Sequence, residues 1–166
     1  MTVTNVHKDH ETRTMTITAA FDAPIERVWQ LWAEPRLLER WWGPPTYPAT
    51  FVDHDLSPGG SVTYYMTGPE GDKHHGWWRV LTVEAPRGFT LEDGFADDSG
   101  EPNPEMPTLS VGVVLSAASG GGALMTIETT FPSLQAMNEL AEMGMEEGMT
   151  AAMGQMDDIL RELAAE

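Results

Sequence analysis

The hydrophobic and polar positions of this chain follow two periods, one typical of strands and one typical of a helix. From Thr14 to Phe21, apolar and polar residues alternate in the β-branched stretch TMTITAAF, which predicts a strand. Similar segments recur between residues 50 and 131, separated by short turns, and predict six more antiparallel strands. Over residues 132–166 the apolar positions form one stripe at helical spacing. The pattern therefore predicts a sheet followed by a long C-terminal helix.

Two short helices are predicted directly after the first strand. Asp22 and Ala23-Pro24 supply an N-cap and a first-turn proline, and apolar residues follow at helical spacing as far as Trp32. Pro35 ends this helix, and one or two further helical turns lead to the Gly43-Pro44-Pro45 breaker. The predicted fold class is α+β, with a curved antiparallel sheet wrapped around the last helix.

The chain is expected to contain a polar N-terminal tail, residues 1–13, and one domain, residues 14–166. The tail carries His7 and His10 three positions apart. Such a pair can hold a metal on a helix, but no third ligand is nearby and polar chain ends usually fray. A total of 166 residues suits one hydrophobic core. We therefore predict one domain and no metal site.

The apolar stripe of the last helix consists mainly of methionine and small residues. Its members are Met137, Ala141, Met145, Gly148, Met149, Ala152, Met156, Ile159 and Leu163. A dry core is expected to carry leucine and isoleucine instead, and each glycine inside a helix costs about 1 kcal/mol relative to alanine. One interpretation is an adaptable cavity wall in which Gly148 leaves room for a ligand. The other is ordinary core in which methionine fills gaps.

Composition narrows the functional classes. The chain has 26 acidic and 9 basic residues, for a formal net charge of -17. Its field repels phosphate backbones and anionic membranes, so nucleic-acid binding is not expected. A solvated acidic surface explains the charge, and a basic protein partner is the alternative. Cysteine is absent, no apolar stretch approaches the roughly 20 residues of a membrane span, and the start lacks a secretory pattern. We expect a cytoplasmic protein.

Three stretches resemble a known superfamily. Residues 23–44 contain the spacing Pro-x-x-Leu-x-x-Trp-Trp-Gly-Pro, residues 55–71 contain a glycine-glycine hairpin, and residues 76–92 supply the following strand pair. With the last helix, they resemble the START-like, birch-pollen-allergen-like SRPBCC superfamily. Within it they resemble the branch named after the C-terminal domain of the activator of the heat-shock protein 90 ATPase. The resemblance covers residues 14–163 and implies the helix-grip fold.

The resemblance also implies where a ligand would bind. In this fold, inward residues of the sheet and of the last helix enclose the pocket, and the hairpin pattern turns Val62, Tyr64 and Met66 inward. The candidate ligand-binding residues are Trp41, Trp42, Val62, Tyr64, Met66, Trp78, Met145, Gly148, Met149 and Ala152. Each aromatic residue among them can equally serve as core. Met149 stands where relatives often carry tryptophan, so their ligand preference does not transfer directly.

Candidate acid-base residues are few. His54 lies on a strand between two aspartates whose side chains point away from it, and His74-His75 are expected in a solvated turn. One carboxylate of Glu92-Asp93 could project inward, with Arg79 as a counter-charge. The sequence contains no glycine-rich phosphate loop, HExxH or GxSxG motif. No cofactor, metal or catalytic residue is therefore assigned.

Three functions remain open because this fold serves several activities. The first is binding of a small hydrophobic or aromatic ligand between the sheet and the C-terminal helix. The second is a chaperone-activator-like interaction module that uses the acidic surface and Met143. The third is a polyketide cyclase or hydrolase that uses the same cavity, and an enzyme is the least favoured. A small apolar ligand is the expected partner, with a homodimer and a chaperone or other protein partner as alternatives.

Overall fold

Eight strands form one antiparallel sheet in the computed structural model, which describes residues 3–165. The strands are β1 (Val3–Asp9), β2 (Thr14–Phe21), β3 (Ala49–His54), β4 (Ser61–Thr67), β5 (Lys73–Glu84), β6 (Gly88–Phe95), β7 (Leu109–Ala117) and β8 (Ala123–Thr130). The helices are α1 (Ile25–Ala33), α2 (Pro35–Leu38), α3 (Leu134–Glu142), α4 (Met145–Met153) and α5 (Met156–Ala164).

The spatial order of the strands is β1-β2-β8-β7-β6-β5-β4-β3. Strands β3 to β8 form a meander, and the last strand returns to pair with β2 along its whole length, from Thr14 opposite Thr130 to Phe21 opposite Ala123. The short helices α1 and α2 connect β2 to β3, and α3 to α5 follow the sheet. This arrangement confirms the predicted α+β helix-grip fold.

The N-terminal residues form a strand where the sequence predicted a polar tail. Residues 3–9 pair with β2, placing Val6 opposite Ile17 and His7 opposite Thr16. Val3 and Val6 pack against the core. An edge strand is held mainly by backbone hydrogen bonds, so its side chains need not alternate clearly between apolar and polar. The first two residues of the predicted tail lie outside the described part of the chain.

The C-terminal helix is divided into segments. Gly144 has a φ of 86°, in the left-handed region that glycine adopts readily, and it separates α3 from α4. The sequence predicted a continuous helix, in which Gly144 would weaken the interior. In the structure Gly144 lies between two helices, so this cost does not arise. The second division is slight, because Gly154 and Gln155 keep right-handed helical angles. Residues 145–164 consequently behave as one nearly continuous helix.

The closed part of the core lies between the sheet, α1, α2 and α5. Trp32 is 1% exposed, and its ring centroid lies 4.7 Å from that of Trp41 and 5.1 Å from that of Phe89. The Trp41 indole donates to Leu31 O at 2.9 Å. The amide of Gln155 donates to Gly43 O at 2.7 Å, which ties the end of the tryptophan motif to the C-terminal helix.

Candidate functional site

A cavity of about 650 Å³ opens between the sheet and the C-terminal helices. Strands β4, β5 and β6 form one wall, and the corner between α3 and α4 forms the opposite wall. The loop between α2 and β3 contributes Pro44, Thr46 and Tyr47. Most lining residues are apolar, so the surface of the cavity is largely hydrophobic with a few polar groups.

Six of the ten candidate ligand-binding residues line this cavity. They are Trp42, Tyr64, Met66, Met145, Gly148 and Met149. The other four do not line it: Trp41, Val62, Trp78 and Ala152. These four are at most 1% exposed and are packed into the closed core. A molecule in the cavity would therefore meet the first group, and the ligand-binding role of all ten stays a prediction.

Two glycines shape the cavity in different ways. A Cβ atom at Gly76 would lie 2.4 Å from the Tyr64 ring, so the absence of a side chain allows that ring to lie flat against β5. A Cβ atom at Gly148 would meet nothing within 4 Å. The backbone of α4 therefore faces open space at this position, as expected if Gly148 leaves room for a ligand.

A polar pair interrupts the apolar wall. The Tyr64 hydroxyl donates to Asp93 Oδ1 at 3.4 Å, which is a long hydrogen bond. Burial raises the pKa of Asp93 to about 7, and the hydrogen bond from Tyr64 and the nearby Trp78 indole lower it only in part. Burial, and then the charge of Asp93, raise the pKa of Tyr64 well above its usual value. The cavity thus contains a carboxyl group that can change its protonation near neutral pH.

Two tryptophans lie next to this pair. The ring centroids of Trp42 and Trp78 are 6.1 Å and 6.0 Å from that of Tyr64, and their indoles lower the pKa of Tyr64. Neither indole nitrogen reaches a partner with hydrogen-bond geometry among the described residues. Unpaired buried donors cost free energy, typically about 1–3 kcal/mol each. The cluster of Tyr64, Asp93 and the two indoles therefore has unused hydrogen-bonding capacity.

The mouth of the cavity is flanked by two exposed apolar side chains. Tyr47 is 36% exposed and Met143 is 66% exposed, and both line the opening. His74 is also at the opening, with Nε2 2.5 Å from Asp72 Oδ2 and its ring centroid 5.7 Å from that of Tyr47. This hydrogen bond lowers the pKa of Asp72.

The candidate acid-base residues are placed differently from expectation. His74-His75 lie in strand β5 and not in a turn; both line the cavity, and His74 is exposed at its opening, as expected of a solvated residue. Of Glu92-Asp93, the inward carboxyl is Asp93, whose cross-strand partner is Trp78. Arg79 is opposite Glu92, so it is not the counter-charge of Asp93. His54 Nε2 lies 3.0 Å from Trp32 O, away from the cavity.

Phe95 was missed as a lining residue although the sequence contained a signal for it. Phe89 and Leu91 are buried, and strict alternation along β6 continues their face to Asp93 and Phe95. The position of Tyr47 had no comparable signal, because its loop has no period. Within residues 3–165, no three His, Asp or Glu side chains converge in a way that could hold a metal ion. No helix in that range has the length and apolarity needed to cross a bilayer.

Comparison with known proteins places the chain in a family. The sequence model described as Activator of Hsp90 ATPase homolog 1-like protein matches residues 22–161. A protein from Arthrobacter aurescens, solved by NMR, is 49% identical, with a TM-score of 0.92 over 97% of this chain and 93% of that one. Protein Ms6760 from Mycobacterium smegmatis is 46% identical, with a TM-score of 0.88 over 95% and 96%.

A more distant structure shares the fold alone. CalU16 from Micromonospora echinospora is 23% identical, with a TM-score of 0.52 over 90% of this chain and 82% of that one. No curated protein matches the sequence. The family match and the helix-grip architecture agree with the resemblance in the tryptophan motif. The chain belongs to the Activator of Hsp90 ATPase homolog 1-like family, within the SRPBCC superfamily.

Proposed function

We propose that this protein binds a small apolar or aromatic molecule in the cavity between the sheet and α4. The observation that supports this most strongly is the cavity itself, with a volume of about 650 Å³. Pockets for organic ligands typically have volumes of about 300–1,000 Å³, whereas interior packing defects rarely exceed the size of a water molecule. By contrast, a second cavity near Lys8 and Met15 measures only about 40 Å³.

The residues of the wall suit this function. Met145 and Met149 present flexible, polarisable side chains that can adjust to the shape of a ligand. Trp42 and Tyr64 offer flat surfaces for an aromatic ring, and their centroids are 6.1 Å apart. Gly148 leaves open space in the helix wall. A bound molecule would bury apolar surface at about 25 cal/mol per Å², which supplies its affinity.

Two alternative functions each have a supporting observation. The exposed side chains of Tyr47 and Met143, beside an acidic surface, favour a protein-interaction module. The Tyr64–Asp93 pair favours an acid-base enzyme of the cyclase or hydrolase type. An interaction module does not need a cavity of this size, and an enzyme that uses the cavity must first bind a molecule in it, so binding ranks first. The cytoplasmic location and the homodimer remain predictions from the sequence.

The test is to fill the cavity from its helix wall. Native mass spectrometry of the purified protein would first identify any bound molecule. Binding of N-phenyl-1-naphthylamine, an uncharged fluorescent probe, would then be compared between the wild type and Gly148→Leu. We expect the substitution to weaken binding at least about tenfold, because the new side chain occupies ligand volume.

The matched control is Ala151→Leu, which adds leucine to an exposed position of the same helix. We expect this variant to bind the probe as the wild type does. Thermal unfolding would show that both variants are folded, and leucine should stabilise α4 relative to glycine. Equal binding by Gly148→Leu and the wild type, or no binding of the probe to the wild type, would reject the proposal.

A further inference from the structure

Apart from the two histidines, His74 and His75, the ionisable groups that line the cavity carry only negative charge. Asp93 lies inside, Glu147 lies at the opening, and no lysine or arginine is among the described lining residues. The whole chain has a formal net charge of -17, so its field also attracts cations and repels anions. The electrostatics therefore disfavour fatty acids and other carboxylates as ligands, although the cavity is large enough for them.

Asp93 is half-buried and has no basic residue as a partner among the described residues, although a carboxylate that is shielded from water normally has one. Its hydrogen bond from Tyr64 is long, at 3.4 Å, and involves only Oδ1. Arg79, the basic residue nearest in the ladder, is opposite the neighbouring Glu92. Carboxylates that are removed from water are usually paired with a cation. A ligand that brings a positive charge would satisfy this requirement.

We propose that the ligand of this cavity is an apolar amine, whose protonated nitrogen pairs with Asp93 while its hydrocarbon body lies against the aromatic and methionine wall. This inference rests on the proposed binding function and specifies its ligand class. The geometry supplies both parts of the contact: a half-buried carboxyl group beside Tyr64, and an apolar volume between that group and α4.

The aromatic residues next to Asp93 also favour a cation. Tyr64 and Trp42 line the cavity with their rings nearly perpendicular, at 85°. An ammonium group within about 6 Å of such rings is attracted by their negative faces, with roughly 0.5–2 kcal/mol per contact. An amine held by Asp93 would lie beside these rings. The carboxylate and the rings thus act on the same charge.

One feature of the wall would favour an anion instead. The amino-terminal turn of α4 also lines the cavity, and its helix dipole places partial positive charge there. Glu146 and Glu147 lie in this first turn and oppose that charge. Since Glu147 itself lines the opening, the net effect at this end of the cavity does not attract anions.

The protonation of Asp93 predicts how binding depends on pH. Burial raises the pKa of Asp93 to about 7, so the carboxylate that pairs with the amine forms as pH rises through neutrality. Amine affinity should therefore increase by about tenfold or more between about pH 5.5 and pH 8. The other titratable groups that face the cavity are Tyr64, His74, His75 and Glu147.

The experiment compares three probes with one ring system: 1-naphthylmethylamine, 1-naphthylmethanol and 1-naphthoate. Each displaces N-phenyl-1-naphthylamine from the wild-type protein near pH 8. We expect the amine to bind about tenfold more tightly than the alcohol, and the carboxylate to bind most weakly, since a charge-assisted hydrogen bond contributes roughly 1.5–3 kcal/mol. Equal affinities for the amine and the alcohol, or a preference for the carboxylate, would overturn the inference.

Two isosteric variants distinguish the effect of Asp93 on amine binding from the effect of the protein's overall negative charge. Asp93→Asn should remove the preference for the amine over the alcohol and most of its pH dependence, while His74 and His75 are unchanged. Glu92→Gln removes the same charge from the neighbouring residue, which does not line the cavity. It should keep the preference. A preference that survives in Asp93→Asn would show that the general charge causes it and would overturn the inference.

The reporter probe distinguishes failure of this inference from failure of the proposed function. If N-phenyl-1-naphthylamine binds the wild type and Gly148→Leu prevents it, the cavity binds apolar molecules whatever the three-probe comparison shows. If that probe does not bind, both the proposed function and the ligand class are rejected. The comparison on the wild-type protein does not depend on the folding of any variant.

Discussion

The interior of this protein has a closed half and an open half, enclosed by the same sheet and the same C-terminal helix. In the closed half, Met153 and Met156 are fully buried in the same core cluster as Trp32. In the open half, Met145 and Met149 are only partly buried and face a cavity of about 650 Å³. The difference shows that the same residue type is core in one place and cavity wall in another.

The size of the opposing residues decides which half closes. Opposite α5, the bulky helix α1 contributes Leu31 and Trp32, which fill the space between sheet and helix. Opposite α4, strands β5 and β6 contribute Gly76 and Gly94 to the wall. The rings of Tyr64 and Trp77 occupy the space beside these two glycines, whereas Gly148 on the helix faces a volume that no side chain fills. Three predictions test this contrast.

The largest effect is expected in the closed half. Trp32→Ala should lower the free energy of unfolding by about 3–5 kcal/mol, because it removes a fully buried side chain from contact with several aromatic rings. Met149→Ala, in the cavity wall, should cost no more than about 1 kcal/mol. Urea unfolding of both variants measures the difference. Similar costs for the two substitutions would contradict the division into a closed and an open half.

The next effect concerns the half-buried carboxyl group of Asp93. Because the pKa of Asp93 is raised from 3.8 to about 7, the folded protein holds this proton more tightly than the unfolded chain. Its contribution therefore makes the fold less stable as pH rises from about 4 to 7. Relative to Asp93→Asn, the wild type should lose on the order of 2 kcal/mol of unfolding free energy across this window. A pH-independent difference would show that Asp93 is solvated like a surface residue.

The smallest effect compares two glycines of the cavity wall. Gly144→Ala should lower the unfolding free energy by about 1–2 kcal/mol, because its φ of 86° is unfavourable for alanine. Gly148→Ala should raise it by up to about 1 kcal/mol, because the position is helical and open. Thermal unfolding of the two single variants gives the sign of each effect. Stabilisation by Gly144→Ala would mean that α3 and α4 form one continuous helix.

The sequence predicted most elements because their local patterns match their burial. The alternation from Thr14 to Phe21 predicts β2 with the bounds that the structure shows. The sequence did not predict β1. The register of β1 with β2 is set by backbone pairing, so the side chains of β1 do not show a clear alternating pattern. The sequence also predicted a continuous last helix, because a glycine in a helical stripe does not reveal that its φ is positive.

For the candidate site, the sequence predicted which residues face inward but not whether the space in front of them is empty or filled by other side chains. Alternation placed Tyr64 and Met66 on one face of the sheet, and the family resemblance of the glycine hairpin turned that face inward. The helical stripe placed Met145, Gly148 and Met149 on the opposite side. The sequence placed Trp78 and Val62 with these residues, because residues on one face share a direction whether they meet solvent, ligand or core. Only distances across the interior separate these cases.

The sequence by itself determined the two periods, the tryptophan motif and hence the helix-grip fold, because each depends on residues close together in the chain. The tertiary structure alone decided that the interior stays open beside α4, that Asp93 meets Tyr64 there, and that Arg79 does not neutralise it. The physical reason is that burial, pKa and empty volume depend on which surfaces meet across the fold, whereas periodicity specifies only which way each residue faces.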